Sequence, residues 1–306
     1  MPSLASRVVV TNLRLYSALS WRPCYPVGYQ RYMMSSLAPR MMPTPKGVRR
    51  EPASADGIQA AWAIPDGADD SRVILYLHGG AFIIGSIESH WKMVARMARA
   101  AGCRALLIDY RLAPEHEFPA AVDDSVRAYR WLLAEGYRPD RIVIAGDSAG
   151  GTLTASTLVS LRDAGDPLPA AGVMLSPATD MEMSGETFKT KVREDPLIRQ
   201  AWGGKCIGMY LGAADPRDPL ASPLYADLKG LPPLLIQVGT REVLLDDSRR
   251  FAERAREAGV EVDLEVWAGM FHVWHFNCGR MPESNDAVRK IGSYCREKMN
   301  GATGGQ

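Results

Sequence analysis

The chain has almost no excess of charge: 36 Lys and Arg stand against 35 Asp and Glu in 306 residues. That balance gives no electrostatic reason to expect nucleic acid or an anionic membrane as a partner. Histidine is scarce, at five residues, and the sequence holds neither an H-E-x-x-H pattern nor a P-loop; no metal site and no organic cofactor is expected. The five cysteines (Cys24, Cys103, Cys206, Cys278, Cys295) are scattered, with no C-x-x-C pair, which reads as reduced thiols and not as a disulfide framework or metal centre. No stretch approaches the ~20 apolar residues of a membrane helix, so stable membrane insertion is not expected. Val8-Val9-Val10 is soon interrupted by Asn12 and Arg14 with no small-residue cleavage site after it, which argues against a signal peptide. These absences imply a cytoplasmic protein.

What is present is an ordinary globular composition, 46% apolar and 23% charged, with a rhythm from residue 72 onward. Continuous apolar runs at Val73–Leu77, Ala105–Tyr110, Ile142–Ala145, Ala171–Leu175, Leu234–Val238 and Val262–Trp267 alternate with helical patterns at Trp91–Ala101, Ala120–Ala134, Ser148–Arg162, Asp247–Ala258 and Asp286–Lys298. Short strands apolar on both faces, separated by helices, predict a mostly parallel sheet covered on two sides, an α/β fold. Before it, residues 5–20 read as an amphipathic helix, 21–45 as irregular and Ile58–Ile64 as a strand. The interval from Ser176 to Leu231 breaks the rhythm with helical patches and no strand. So long an interval implies a role, and it is expected to fold with the first 45 residues over the carboxyl edge of the sheet, where open α/β sheets bind ligands. The tail Gly301–Gln306 is expected to be disordered.

The segment Ile142-Val143-Ile144-Ala145-Gly146-Asp147-Ser148-Ala149-Gly150-Gly151 has the form of a nucleophile elbow: strand, Gly-x-Ser-x-Gly, then helix. The pentapeptide is weak by itself and gains weight from that context. A serine hydroxyl needs a base, and a base needs an orienting carboxylate. In α/β-hydrolases the chain order is Ser, then Asp or Glu, then His. Only His272 and His275 follow Ser148. His272, just past the run ending at Trp267, is the favoured base; His275 is assigned a structural role. After Leu234–Val238, the carboxylates Glu242, Asp246 and Asp247 are all chemically able. The two aspartates stand where a helix begins, where capping explains them, so Glu242 is favoured and Asp246 is the alternative. Oxyanion donors are expected from Ala149 N–H and from the loop Leu77-His78-Gly79-Gly80-Ala81-Phe82, specifically Gly79 and Gly80.

The chain resembles the hormone-sensitive-lipase-like (bacterial family IV) carboxylesterases of the α/β-hydrolase superfamily over nearly its whole length. His78-Gly79-Gly80-Ala81 is similar to the family's H-G-G-[GA] oxyanion loop, and Gly146-Asp147-Ser148-Ala149-Gly150-Gly151 matches its G-D-S-A-G-G elbow. Asp109-Tyr110-Arg111-Leu112-Ala113-Pro114-Glu115 matches its D-Y-R-L-A-P-E signature, read here as bracing loops near the elbow. The resemblance implies an α/β-hydrolase fold with a helical cap: residues 1–45 and 181–230 as cap, 46–180 and 231–306 as core. It implies Ser148 as nucleophile and His272 as base. At the acid position relatives carry D-x-L-x-D; here Glu242-Val243-Leu244-Leu245-Asp246 aligns with it, so glutamate replaces aspartate and its reach is one methylene longer.

The expected reaction is hydrolysis of short-chain carboxylic esters through an acyl-enzyme. Cap residues Tyr29, Tyr32, Met33, Met34, Trp202, Met209 and Tyr210, with Phe82 beside the oxyanion loop, are candidates for the pocket wall; Phe82, Tyr32 and Met209 are singled out. The same apparatus would serve amides, lactones or carbamates, and some relatives have become non-catalytic binding proteins after losing the histidine that this chain retains as His272. Relatives are often homodimers, though no residue in this chain establishes that.

Overall fold

A computed structural model describes residues 2–300; the expectation for Gly301–Gln306 lies outside the described residues. In chain order the elements are α1 (Leu4–Ser20), α2 (Val27–Tyr32), β1 (Val48–Ala55), β2 (Ile58–Pro65), β3 (Asp69–Leu77), α3 (Ile87–Ala101), β4 (Cys103–Ile108), α4 (Ala120–Ala134), β5 (Ile142–Asp147), α5 (Ala149–Ala164), β6 (Ala171–Leu175), α6 (Thr187–Thr190), α7 (Gln200–Leu211), β7 (Leu234–Gly239), α8 (Leu245–Glu257), β8 (Val262–Trp267) and α9 (Pro282–Asn300).

The eight strands form one sheet in the order β1-β2-β4-β3-β5-β6-β7-β8. β1, β2 and β4 pair antiparallel, and every pair from β4 through β8 is parallel. The central strands β5, β6 and β7 are buried at every residue, which is why their sequences are apolar runs without alternation. Edge strand β1, Val48-Arg49-Arg50-Glu51-Pro52-Ala53-Ser54-Ala55, is half exposed; its polar content hides it from an apolar-run reading. α3 starts at Ile87, a turn before the helical pattern read from Trp91, because Ser86 and Ser89 form a reciprocal capping box.

Two apolar layers sandwich the sheet. One, including Val73, Leu75, Leu77, Ile142 and Ile144, packs against α4, α5 and α8. The other, including Ile74, Tyr76, Val143 and Ala145, packs against α3 and α9. Neighbouring strand residues face opposite layers, as the period of two requires. Between α2 and β1, residues 33–37 form a π-turn and 38–41 a 3-10 turn, so the interval read as irregular is largely helical. The residues between β6 and β7 contain α6, α7 and a 3-10 turn but no strand. This insert meets the amino-terminal helices: Trp21 stacks on Trp202 at 5.1 Å, Trp202 Nε1 donates to Gln30 Oε1, and Ser17 Oγ donates to the Pro196 carbonyl at 3.0 Å. Together they make a helical cover over the carboxyl ends of β5 and β7. No helix among the described residues is long and apolar enough to cross a membrane.

Candidate active site

The turn between β5 and α5 carries Ser148 at φ 53°, ψ −119°, a conformation L-residues adopt only under constraint. Its amide donates to the Leu175 carbonyl at 2.8 Å and its carbonyl accepts from Thr152 N at 3.1 Å, which pin it from both sides. Glycine at 150 is obligatory: a Cβ there would lie 1.9 Å from the Leu77 carbonyl oxygen. Backbone must move to admit a methyl group, so Gly150→Ala is expected to destabilise the fold by at least about 3 kcal/mol; an unchanged midpoint in chemical denaturation would contradict this. Ala149 opens α5, and first-turn amides have no partner inside a helix.

The oxyanion loop follows β3. The Gly79 amide is already committed: it donates to Asp147 Oδ1 at 3.0 Å and also points at His90 Nε2, 3.2 Å away. Gly79 therefore does not offer its N–H to a substrate, which corrects the expectation. The cavity is instead lined by Gly80, Ala81 and Ala149. Ala81, at φ 51°, is not among the expected donors but lines the cavity. The Gly80 carbonyl accepts from the Ile83 and Ile84 amides, the Gly79 carbonyl from His78 Nδ1 and the Phe82 carbonyl from the Ala113 amide. Asp147 is the hub beneath: Tyr76 OH donates to it at 2.8 Å and His90 approaches at 3.3 Å. Burial alone would raise its carboxyl, but His90, Tyr76 and the Gly79 amide hold it below the usual range. His78 stacks on Tyr110 at 4.2 Å, its carbonyl accepts from Tyr110 OH at 2.6 Å, and burial pushes its imidazole down to about 3.

The rest of the Asp109–Glu115 segment braces this loop. Asp109 accepts from the Ile87 amide at 2.6 Å. Arg111 makes a forked bond to buried Asp124, with contacts of 2.8 and 2.9 Å. Glu115 pairs with Arg31 at 2.7 Å, a hydrogen bond that pulls its carboxyl down to about 2.

The loops after β7 and β8 are zipped together. Thr240 N donates to the Trp267 carbonyl at 3.0 Å, Arg241 N to the Met270 carbonyl at 3.0 Å, and Gly269 N to Thr240 Oγ1 at 2.8 Å. A Cβ on Gly239 would lie 2.3 Å from the Met270 carbonyl oxygen, so only glycine allows this approach. The zipper brings His272 Nδ1 to Glu242 Oε2 at 3.0 Å. Glu242 is fully buried and His272 nearly so. The other Glu242 oxygen accepts from Ser176 Oγ at 2.8 Å and Gly239 N at 2.6 Å. These two donors fix the longer glutamate arm. Ser176 also accepts from the Val273 amide at 3.2 Å, so one hydroxyl ties the acid to the histidine's own loop.

Asp246 and Asp247 turn elsewhere. Asp246 accepts from the Thr187 amide at 2.9 Å. Asp247, whose carboxyl burial raises well above the usual range, accepts from Thr179 and Asp180 amides at 2.9 and 3.1 Å. Both hold the insert against α8. Asp195, invisible in the sequence reading, is buried in the insert and accepts from the Val243 amide at 3.1 Å. Nothing in its spacing signals that contact, which spans 48 positions.

Burial disfavours an imidazolium at His272, but the Glu242 bond and charge, with Asp195 and Asp147 behind them, outweigh it and raise its pKa. His275 is buried away from the cavity, donates from Nε2 to Gln237 Oε1 at 2.7 Å, and is pushed down to about 3 by burial. A histidine neutral in the fold and protonated when unfolded removes stability as pH drops below its unfolded value of about 6.5. Thermal stability is therefore expected to fall between pH 6.5 and 4, and His275→Gln should flatten part of that slope. An unaltered pH–melting profile in that variant would contradict the assignment.

Ser148, His272, Gly80, Ala81 and Ala149 share one cavity of about 820 Å³ counting its open mouth. Its wall is apolar: Phe82, Met34, Trp21, Trp202, Leu197 and Ile198 among others. Phe82 stacks on Tyr210 at 3.6 Å. Tyr32 is 55% exposed and lies outside the lining, as does Met209, which packs within the cover. Those two expectations fail because they depend on which faces of α2 and α7 turn inward.

A sharp turn holding serine, a buried carboxylate on histidine and backbone amides lining the same cavity mark a hydrolase on an α/β sheet. Residues 74–276 match the α/β hydrolase fold family. Over the length of the chain, an esterase of the bacterial hormone-sensitive lipase family superposes with a TM-score of 0.94 at 47% identity, covering 98% of this chain and 99% of that one. The esterase EstE5, in a crystal soaked with p-nitrophenyl butyrate, superposes with a TM-score of 0.92 at 41% identity, covering 97% and 99%. An acetyl-hydrolase of Streptomyces hygroscopicus is 46% identical over 78% of this chain and 79% of its own length. A putative acetyl-hydrolase, LipR, of Mycobacterium tuberculosis is 34% identical over 85% and 84%. The chain belongs to the hormone-sensitive-lipase-like esterases, a family of carboxylic ester hydrolases on the α/β hydrolase fold.

Proposed function

We propose that this chain is a serine carboxylesterase that hydrolyses small, short-chain esters through an acyl-enzyme. The observation that carries the reading is the strained Ser148 in the same apolar cavity as His272, whose Nδ1 is held by buried Glu242. In this reading Ser148 Oγ attacks the ester carbonyl and His272 Nε2 takes its proton. Glu242 keeps the imidazole in the Nδ1–H tautomer and stabilises the imidazolium without taking the proton. Gly80, Ala81 and Ala149 amides receive the oxyanion, each such donor contributing on the order of 3 kcal/mol in the transition state. His272 then protonates the departing alcohol. Water attacks the acyl-enzyme by the same route and releases the acid.

The amino-terminal helices and the insert act as a cap in this account, closing the acyl and alcohol pockets with Trp21, Met34, Leu197 and Trp202. The acetyl-hydrolase relative and the butyrate ester used with EstE5 support small acyl groups. Turnover of p-nitrophenyl esters of increasing chain length is expected to peak at short acyl groups and fall steeply beyond them. A maximum at long chains, or a matched amide turned over as fast as its ester, would contradict the proposal.

The raised pKa of His272 adds a pH signature. The base works only when neutral, so kcat/KM should fall as pH drops through a value above the ordinary histidine pKa of about 6.5. An acid limb well below 6.5 would exclude His272 as the free-enzyme base.

A further inference from the structure

The near-neutral total charge conceals a division along the chain. Residues 1–50 contain seven arginines and one lysine and no aspartate or glutamate, so the rest of the chain is correspondingly acidic. Of these, Arg7 and Arg14 stand in α1, Arg22 between α1 and α2, and Arg31 in α2, where Glu115 pairs with it; Arg49 and Arg50 lie in β1, paired with Glu51 and Glu88.

α1 carries an apolar stripe on its outer face, while three of its four buried residues are serines. Leu4, Val8, Leu15 and Leu19 are 77%, 55%, 64% and 52% exposed. At 3.6 residues per turn they fall within about 60° of one another, on the side opposite buried Ser6, Val10 and Ser17. Tyr29, itself exposed, continues the stripe by donating to the Leu19 carbonyl at 3.3 Å, and exposed Tyr32 follows one turn later in α2.

Arg7 and Arg14 flank the stripe and are exposed. Arg14 donates to the Arg193 carbonyl at 3.2 Å, Arg22 to the Ala18 carbonyl at 2.7 Å, and Lys205 to the Pro23 carbonyl. Those partners are backbone oxygens, and among the described residues Arg7, Arg14, Arg22 and Lys205 form no ion pair with a carboxylate. Glu283 accepts from Ser3 N and Oγ at the amino end of α1, at 2.7 and 2.9 Å.

We propose that the outer face of α1, extended by Tyr29 and Tyr32, docks this protein on an anionic lipid surface. The leucine and valine side chains would enter the headgroup boundary, the tyrosines would lie at its level, and Arg7, Arg14 and Arg22 would meet the phosphates. That combination of apolar stripe and cationic flank is what an interfacial helix requires. The helix is not a span, so attachment is peripheral and reversible. Trp21 and Met34 from the same segment line the catalytic cavity, so docking would set the cavity mouth close to the interface, where sparingly soluble esters gather.

The test is cosedimentation of the intact protein with vesicles of phosphatidylcholine alone and of equal parts phosphatidylcholine and phosphatidylglycerol. Binding is expected only to the anionic vesicles and should weaken as salt is added. Each arginine near an anionic surface contributes roughly fivefold in partition, so Arg7→Glu with Arg14→Glu should lower binding at least about 25-fold. Leu15→Ser with Leu19→Ser should also lower it. Both double variants should hydrolyse a small water-soluble ester as the parent does, which shows that they fold. Ser148→Ala should bind as the parent does, which separates docking from the ester-hydrolase reading. Three results would overturn the proposal: no binding to anionic vesicles, equal binding to both vesicle types, or binding undiminished in both double variants. A dimer in sedimentation equilibrium that Leu15→Ser with Leu19→Ser dissociates, without vesicle binding, would assign the stripe to a second copy of the chain instead.

Discussion

Ser148→Ala is expected to lower kcat for p-nitrophenyl acetate about 10⁶-fold while leaving the melting temperature within a few degrees of the parent's. Removing the nucleophile of a serine hydrolase removes the covalent route as a whole, and the rest of the machinery then contributes little more than binding and oxyanion stabilisation. Stability should change little because the strain at φ 53° belongs to the backbone and alanine tolerates it about as well as serine. The geometry also predicts what remains. With the Gly80, Ala81 and Ala149 amides intact around the cavity, a residual rate of roughly 10³-fold over water is expected. Activity reduced by tenfold or less in a preparation checked by mass spectrometry would mean that another group attacks the ester.

Glu242→Gln is expected to cost about 10⁴-fold in kcat. The amide can still accept from Ser176 and Gly239, but it can present its NH₂ to His272 Nδ1, which selects the wrong tautomer and leaves the imidazolium without its counter-charge. Asp246→Asn should cost far less, because Asp246 meets the Thr187 amide and not the imidazole. Glu242→Asp shortens the arm by one methylene and should recover only part of the activity, since the two donors that fix the glutamate, Ser176 Oγ and Gly239 N, are placed for the longer side chain. A pH profile distinguishes this from a merely structural defect: Glu242→Gln should also move the acid limb of kcat/KM to lower pH, because the charge that lifts the His272 pKa is gone. If Asp246→Asn proves the more damaging change, the carboxylate has been misassigned.

Much of this site could be read from the chain because its parts follow strands. Ser148, Glu242 and His272 each stand a few residues past an apolar run, and the parallel sheet delivers the carboxyl ends of those runs to one edge. The contact of Glu242 with His272 was readable because the two nearby aspartates had a competing explanation at the start of α8, and the structure gives both of them to the insert. What could not be read has a common cause. Which amide of His78-Gly79-Gly80-Ala81 points at substrate depends on the direction of peptide planes, and the Asp147 carboxylate, which claims Gly79, is 68 positions away. Ser176 and Asp195 act through bonds to residues 66 and 48 positions distant, with no local pattern to reveal them. Tyr32 and Met209 are apolar enough for a pocket wall, but whether they face in or out is decided by how α2 and α7 pack. No apolar run marks the bounds of β1, because an exposed edge strand need not be apolar.

The claim on which the account rests is that one serine is singled out from all others by its environment. Reaction with an organophosphate, followed by intact mass and peptide mapping, measures that directly. The account predicts one adduct per chain, on Ser148, formed orders of magnitude more slowly in His272→Ala, with loss of esterase activity tracking the adduct. Labelling on a different residue, or full ester turnover after Ser148 is stoichiometrically blocked, would contradict it.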